Sequence, residues 1–343
     1  MQKRNSSIEL IRIIAMMFII MGHLAAHGIL KVAAENPLEI WRGGGATYNK
    51  LFSILLMPGG RVGVALFFMI SGYFQIYKST VSVRKVVYET VFYSVLLQLV
   101  ALILKIGSLG NIARGFFPIS SGSWWYVSSY VVLMLCSPTI NQYYLKLKRK
   151  QKIFMIIFAW VFLYTVPYVF KLQYYSLERG VVFYLIGAYI RTEVDIENIR
   201  KFRFQLIVSF FFLWTAYAPL GYMFYTGMNK LFSMVVDGII FNGIIIVGCA
   251  VMLFVLFASK KAGCNKTINT IAKSTFGIYL LHDNMYRNYI WDNLLKMPEL
   301  FRSVFFPALA VGNVIFIFAS CFLIDYMREC LFNALKLVKK SNG

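Results

Sequence analysis

Apolar runs long enough to cross a bilayer recur along almost the whole chain, and this recurrence fixes what it can fold into. A hydrocarbon core of about 30 Å takes about 20 helical residues, and unpaired backbone is not tolerated there, so such a chain folds as spanning helices. The runs lie near 8–30, 59–77, 87–106, 124–145, 153–170, 178–190, 205–225, 234–258, 267–290 and 304–333. They predict an all-α polytopic transmembrane helix bundle of about ten spans. The run at 178–190 is short, and the run at 267–290 is interrupted by Asp283, Arg287 and Asp292. With 59% hydrophobic and 14% charged residues, a soluble domain of ordinary composition is excluded. No soluble domain fits between the runs, so residues 1–343 read as one integral membrane domain. In the longest connection, near 31–58, Trp41 to Gly45 is a glycine-rich tract. Asn49 to Met57 reads as a short interfacial amphipathic helix before Pro58-Gly59-Gly60 turns into the second span.

The net charge of +21 carries meaning through its distribution between alternate connections. With the N-terminus inside, the inner segments hold 22 Lys and Arg against 12 in the outer ones. This bias predicts both termini in the cytoplasm. Inner basic segments lying against anionic lipid headgroups account for the charge without a nucleic acid. The first apolar run is too long for a signal-peptide core and lacks a small-residue cleavage pattern, so it stays as a span. The five cysteines show no CxxC spacing. They indicate neither a zinc site nor a disulfide framework and read as packing residues, and no metal centre is expected.

Within the first run, Arg12 precedes His23 by eleven residues. At 100° per residue this is about 20° beyond three full turns, so on a helix the two side chains share a face, about 16 Å apart along the axis. Glu9 and His27 fall within about 60° of the same direction. Ionisable groups in hydrocarbon cost about 2.5 kcal/mol or more each and stand where a pathway, a substrate or chemistry needs them. His23 suits a general base or transient acyl carrier, since a neutral imidazole can accept a hydroxyl proton; the bland alternative is a packed histidine bonded to a neighbouring carbonyl. Arg12 offers a planar fork for phosphate or carboxylate, or else a neutralising salt bridge to Glu9 or Asp325. His27 reads as a solvated histidine near the outer interface, with an outward proton path as the alternative. His282 lies at a depth similar to His23 and could meet it across the bundle. Asp283 would orient a ring only against the 100° that separates neighbours on a helix. Ser71-Gly72 lacks a nucleophile elbow and reads as small-residue helix packing, or as backbone approach to a substrate. Trp124 and Trp125 are interfacial anchors or a platform for a sugar ring. The sequence does not reveal partners for Glu89, Asp237 and Asp325.

The stretch from Arg4 to Ala15 that runs on to Met21-Gly22-His23 resembles the opening of the acyltransferase-3 family of integral membrane acyltransferases, with its basic residue, ten intervening positions and histidine. Gly60 to Tyr73 is similar to the family's second-span motif. Trp124-Trp125-Tyr126-Val127 with Pro138, and Phe276 to His282, give two further ordered matches. Many members carry an Arg-x-Arg pattern at the start of the third span, where this chain has Val83-Arg84-Lys85-Val86.

The resemblance implies a membrane O-acyltransferase, with acetyl as the default group, moving an acyl group from cytoplasmic acyl-CoA to a hydroxyl of a cell-surface or lipid-linked glycan. It implies His23 and Arg12 as catalytic residues. Glu9, Ser71, Trp125 and His282 become substrate-binding candidates, and donor contact is carried over to Arg84 and Lys85. Acetyl-CoA or another acyl-CoA is a substrate, and no bound cofactor is expected. The expected partners are a carbohydrate acceptor and the lipid bilayer, with a homo-oligomer or glycan-assembly partners left open. The expected place is the bacterial cell membrane, as a multi-pass protein. The alternative is a transporter of acyl groups or lipid-linked sugars, although no internal repeat supports one.

Overall fold

A computed structural model describes residues 5–29, 47–106, 108–169, 177–227, 236–261 and 263–341. The described residues contain helices and connections but no strand. Helix α1 covers Ser6–His23 and continues as a π-helical turn, Leu24–Ile29. Asn5 caps its start, the side-chain oxygen accepting from the Ser7 amide at 3.0 Å. Then come α2 (Thr47–Leu56), α3 (Pro58–Gln75), α4 (Arg84–Ile103), the short α5 (Leu109–Phe116) and α6 (Trp125–Lys146). Proline at the first position of α3 lacks only an amide that a helix start leaves unbonded. Helix α7 (Arg149–Ala159) runs on through π-helical Trp160–Thr165, and α8 is Leu177–Glu193. The remainder is α9 (Arg203–Gly227), α10 (Ile246–Ala258), α11 (Lys266–Lys273), α12 (Thr275–His282) and α13 (Phe306–Ser341).

Among the described residues, five helical stretches are long and apolar enough to cross a membrane: Ser6–Ile29, Tyr48–Gln75, Arg84–Ile103, Ile196–Gly221 and Phe306–Leu335. The run at 267–290 does not form one span. Its helix breaks between α11 and α12, and the backbone leaves the helical region at Asp283 (φ −114°, ψ 68°). Three consecutive polar residues, Lys273-Ser274-Thr275, fall at the first break, where Ser274 is buried.

Helix α3 is the centre of the bundle, with α1 against one side and α8 against the other. Glycine makes this closeness possible. A Cβ at Gly63 would collide with the Ala15 carbonyl of α1, and one at Gly72 with the Tyr184 carbonyl of α8. The start of α1 is tied to the start of α11, since Ser6 Oγ donates to Asn269 Oδ1 at 2.9 Å and accepts from the Asn265 amide at 2.6 Å. Exposed rings such as Phe204, Phe211 and Phe212 on α9, and Phe154 and Phe158 on α7, give the outer surface the apolar character that lipid requires.

A second expectation changes. The stretch from Asn49 is not an interfacial helix: Asn49, Lys50 and Ser53 are buried, and Asn49 Nδ2 donates to the carbonyls of Phe301 and Ser303 at 2.9 Å each. Its polar face meets irregular backbone whose carbonyls need donors, rather than water. The acids Glu89 and Asp325 share Arg328. Its Nη2 bonds Glu89 Oε1 at 3.1 Å and its Nε bonds Asp325 Oδ1 at 2.8 Å, while Tyr93 donates to the same Oδ1 at 2.6 Å. This network joins α4 to α13. The tract from Trp41 to Gly45 and the side chain of Asp237 lie outside the described residues.

Candidate active site

Helix α1 carries Arg12 and His23 toward two adjoining cavities rather than one. The first, about 230 Å³, is lined by Arg12 and Ser71 with Lys85, Lys273, Tyr126, Tyr130 and Tyr279 among others. The second, about 200 Å³, is lined by His23, Arg61, Arg179 and Trp125, with Tyr164 and Tyr217. Val64 is in the wall of both. In the wall of the first cavity Tyr126 and Tyr279 stand edge to face at 5.6 Å, and the Tyr279 ring lies 6.0 Å from the His282 ring.

At the His23 end, three groups from two distant parts of the chain converge. His23 Nδ1 lies 3.1 Å from His282 Nε2, and His282 Nδ1 lies 2.7 Å from the Ile278 carbonyl. A carbonyl only accepts, so His282 Nδ1 carries the proton. Neutral His282 therefore accepts at Nε2, and His23 donates to it from Nδ1. That leaves His23 Nε2 as the basic nitrogen. The carboxylate of Asp283 stands 3.7 Å from it, too long for a hydrogen bond. Arg287 bonds the other Asp283 oxygen at 3.1 Å and fixes the carboxylate. Asp283 reaches the ring because α12 has ended at His282, so the 100° separation of helical neighbours does not apply.

His27 stacks at an angle on His23, with centroids 5.3 Å apart. Single donor atoms of His23, His27 and Asp283 lie within 4.8 Å of one another, a spacing that a transition-metal cation could use.

At the other end, Arg12 Nη1 bonds both Glu9 oxygens at 3.2 Å, while its side chain keeps 28% of its exposure at the cavity. Asp325 is committed to Arg328, so of the two carboxylates considered for Arg12, Glu9 is the one it meets. Lys85 lines the Arg12 cavity and, with Lys273, also a neighbouring one of about 720 Å³ that holds Glu89 and Arg328. Arg84 is exposed and lines neither cavity on α1. Ser71 Oγ donates to the Phe67 carbonyl at 3.0 Å. Trp125 borders the His23 cavity at 37% exposure, whereas Trp124 is buried.

Several lining residues escape sequence reasoning. Lys273 reads as one more basic connection, and Arg61 as the variable position of a motif. Arg179 reads as the flank of a short run. Tyr126 stood inside the Trp124 to Val127 motif, which was the available signal.

A helical bundle with histidine, arginine and carboxylate gathered on its interior faces is a membrane enzyme site in outline. The family model described as an acyltransferase domain, acyltransferase-3, matches residues 5–325. The chain belongs to that family, and as a member it is an enzyme that transfers acyl groups. Neither curated proteins nor solved structures gave a match.

Proposed function

We propose that the chain is an O-acyltransferase, acetyl being the default group, that takes the acyl group from cytoplasmic acyl-CoA and delivers it to a hydroxyl of a cell-surface or lipid-linked glycan. The observation that carries this reading is the chain of contacts from the Ile278 carbonyl through His282 to His23, which leaves the lone pair on Nε2 of a ring that lines a cavity, with a carboxylate oxygen 3.7 Å from that nitrogen. His23 Nε2 takes the acceptor's hydroxyl proton as that oxygen bonds to the thioester carbon. The carbon–sulfur bond then breaks, and the proton passes to the departing thiolate. General-base help of this kind contributes about 10² to 10⁴ in rate.

The phosphates of the donor fit the cations of the Arg12 cavity, Arg12, Lys85 and Lys273, and the pantetheine arm spans the distance along α1 to His23. A multi-pass arrangement with both termini in the cytoplasm, a single domain over 1–343 and a place in the cell membrane complete the proposal. No bound cofactor or metal enters it. Purified protein given labelled acetyl-CoA and an oligosaccharide should form base-labile ester, and His23→Gln should form none while keeping wild-type CoA affinity. Full transfer by His23→Gln would overturn the assignment.

A further inference from the structure

His23 and His27 stand four residues apart where α1 passes into its π-helical turn, and their rings share one face with centroids 5.3 Å apart. Two histidines at this spacing on one helical face are a recurrent pair of transition-metal ligands. A third donor comes from across the bundle. Asp283 Oδ2 is 3.7 Å from His23 Nε2, and one donor atom from each of the three residues lies within 4.8 Å of the other two. Two ligand atoms about 2.1 Å from one ion at the tetrahedral angle are about 3.4 Å apart, so the His23–Asp283 pair is already close to bridging geometry. The His27 ring, only partly buried, closes a gap of at most about 1.4 Å by turning about its side-chain bonds.

The neighbours of the three suit ligands. His23 Nδ1 meets His282 at 3.1 Å, and His282 is itself fixed by the Ile278 carbonyl, which leaves the lone pair of His23 on Nε2. Arg287 bonds the other Asp283 oxygen at 3.1 Å and orients the carboxylate. His27 has a further interaction of its own. An imidazole that bonds a neighbour through one nitrogen ligates through the other, and such outer partners are what orient metal-binding histidines. Two imidazoles and one carboxylate match zinc-like ions, whereas Mg²⁺ asks for oxygen ligands in an octahedron. The ion has a way in, since His23 lines the cavity of about 200 Å³.

We propose that His23, His27 and Asp283 form a binding site for a divalent transition-metal ion of the zinc class, and that the bound ion holds the enzyme inactive. The site does not depend on the acyltransferase reading. The inhibition does, because the ion takes the Nε2 lone pair that otherwise accepts the acceptor's proton. Three protein ligands leave the fourth tetrahedral position to water.

The test uses the full chain, free of any affinity tag, in detergent after treatment with a chelator. Titration calorimetry follows Zn²⁺ and Mg²⁺, and visible absorption follows Co²⁺. Zn²⁺ should bind at one ion per chain, Mg²⁺ should not compete, and Co²⁺ should show the intense bands of four-coordinate geometry. His23→Gln, His27→Gln and Asp283→Asn should each weaken Zn²⁺ binding about tenfold or more, at least the cost of losing an outer partner. Transfer of labelled acetyl from acetyl-CoA is measured in parallel. Zn²⁺ should stop wild-type transfer and EDTA should restore it, while His27→Gln should keep transfer and need about tenfold more Zn²⁺ to lose it. No saturable Zn²⁺ binding, an affinity unchanged in all three substituted proteins, or stimulation of wild-type transfer by the ion would overturn the inference. Zn²⁺ binding that depends on the three residues yet leaves transfer untouched would count against His23 as the base and spare the site. Transfer without Zn²⁺ binding would count against this inference alone.

Discussion

Replacing Asp283 by Asn keeps shape and removes charge, which isolates what the carboxylate does for His23. Its Oδ2 lies 3.7 Å from Nε2, and the side chain is almost wholly buried. At an effective dielectric of about 20, a full charge pair at this separation is worth about 4 kcal/mol. If the ring has gained about half of its proton charge at the transition state, about 2 kcal/mol is lost, or a factor of about 30 in kcat. Arg287 on the other oxygen at 3.1 Å weakens the field that reaches the ring and makes this figure an upper bound. The assay is steady-state transfer of labelled acetyl to a saturating acceptor, with KM for acetyl-CoA followed alongside, because a group acting on the ring should change kcat and leave donor KM in place. Asp283→Asn within twofold of wild type would refute an electrostatic role for the carboxylate. A loss confined to KM would instead place Asp283 among the binding groups.

Arg12→Lys keeps the charge and loses the planar fork, so KM for acetyl-CoA should rise about tenfold with little change in kcat; unchanged CoA binding in Arg12→Ala would remove its donor role. Arg328→Met leaves Glu89 and Asp325 buried without their cation and should cost about 3–5 kcal/mol, seen as a lower apparent Tm in detergent. Adding Glu89→Gln and Asp325→Asn to it should restore most of the loss. Gly72→Ala drives a methyl into the Tyr184 carbonyl and should destabilise by about 1–3 kcal/mol, whereas Gly110→Ala, with open space around its Cβ position, should be tolerated.

What could be read in advance depended on range along the chain. The common face of Arg12 and His23 follows from helical periodicity alone, because α1 is regular from Ser6 to His23. The same periodicity misleads at Asp283, where the helix has stopped and neighbouring side chains converge on one ring. Counting along a single span puts His282 at the depth of His23. The two rings do touch, yet the segment reaches that depth as two short helices. Contacts between elements far apart in sequence, such as Arg328 with Glu89 or Arg61 with Arg179 across one cavity, carry no local signal. Burial of Asn49, Lys50 and Ser53 is opaque for a related reason, because their surroundings include carbonyls some 250 positions further along, at Phe301 and Ser303.

One valine side chain forms part of the boundary between two compartments, each furnished with its own cations. A change of side-chain size at Val64 therefore acts on both spaces at once, narrowing or widening the Arg12 compartment and the His23 compartment together.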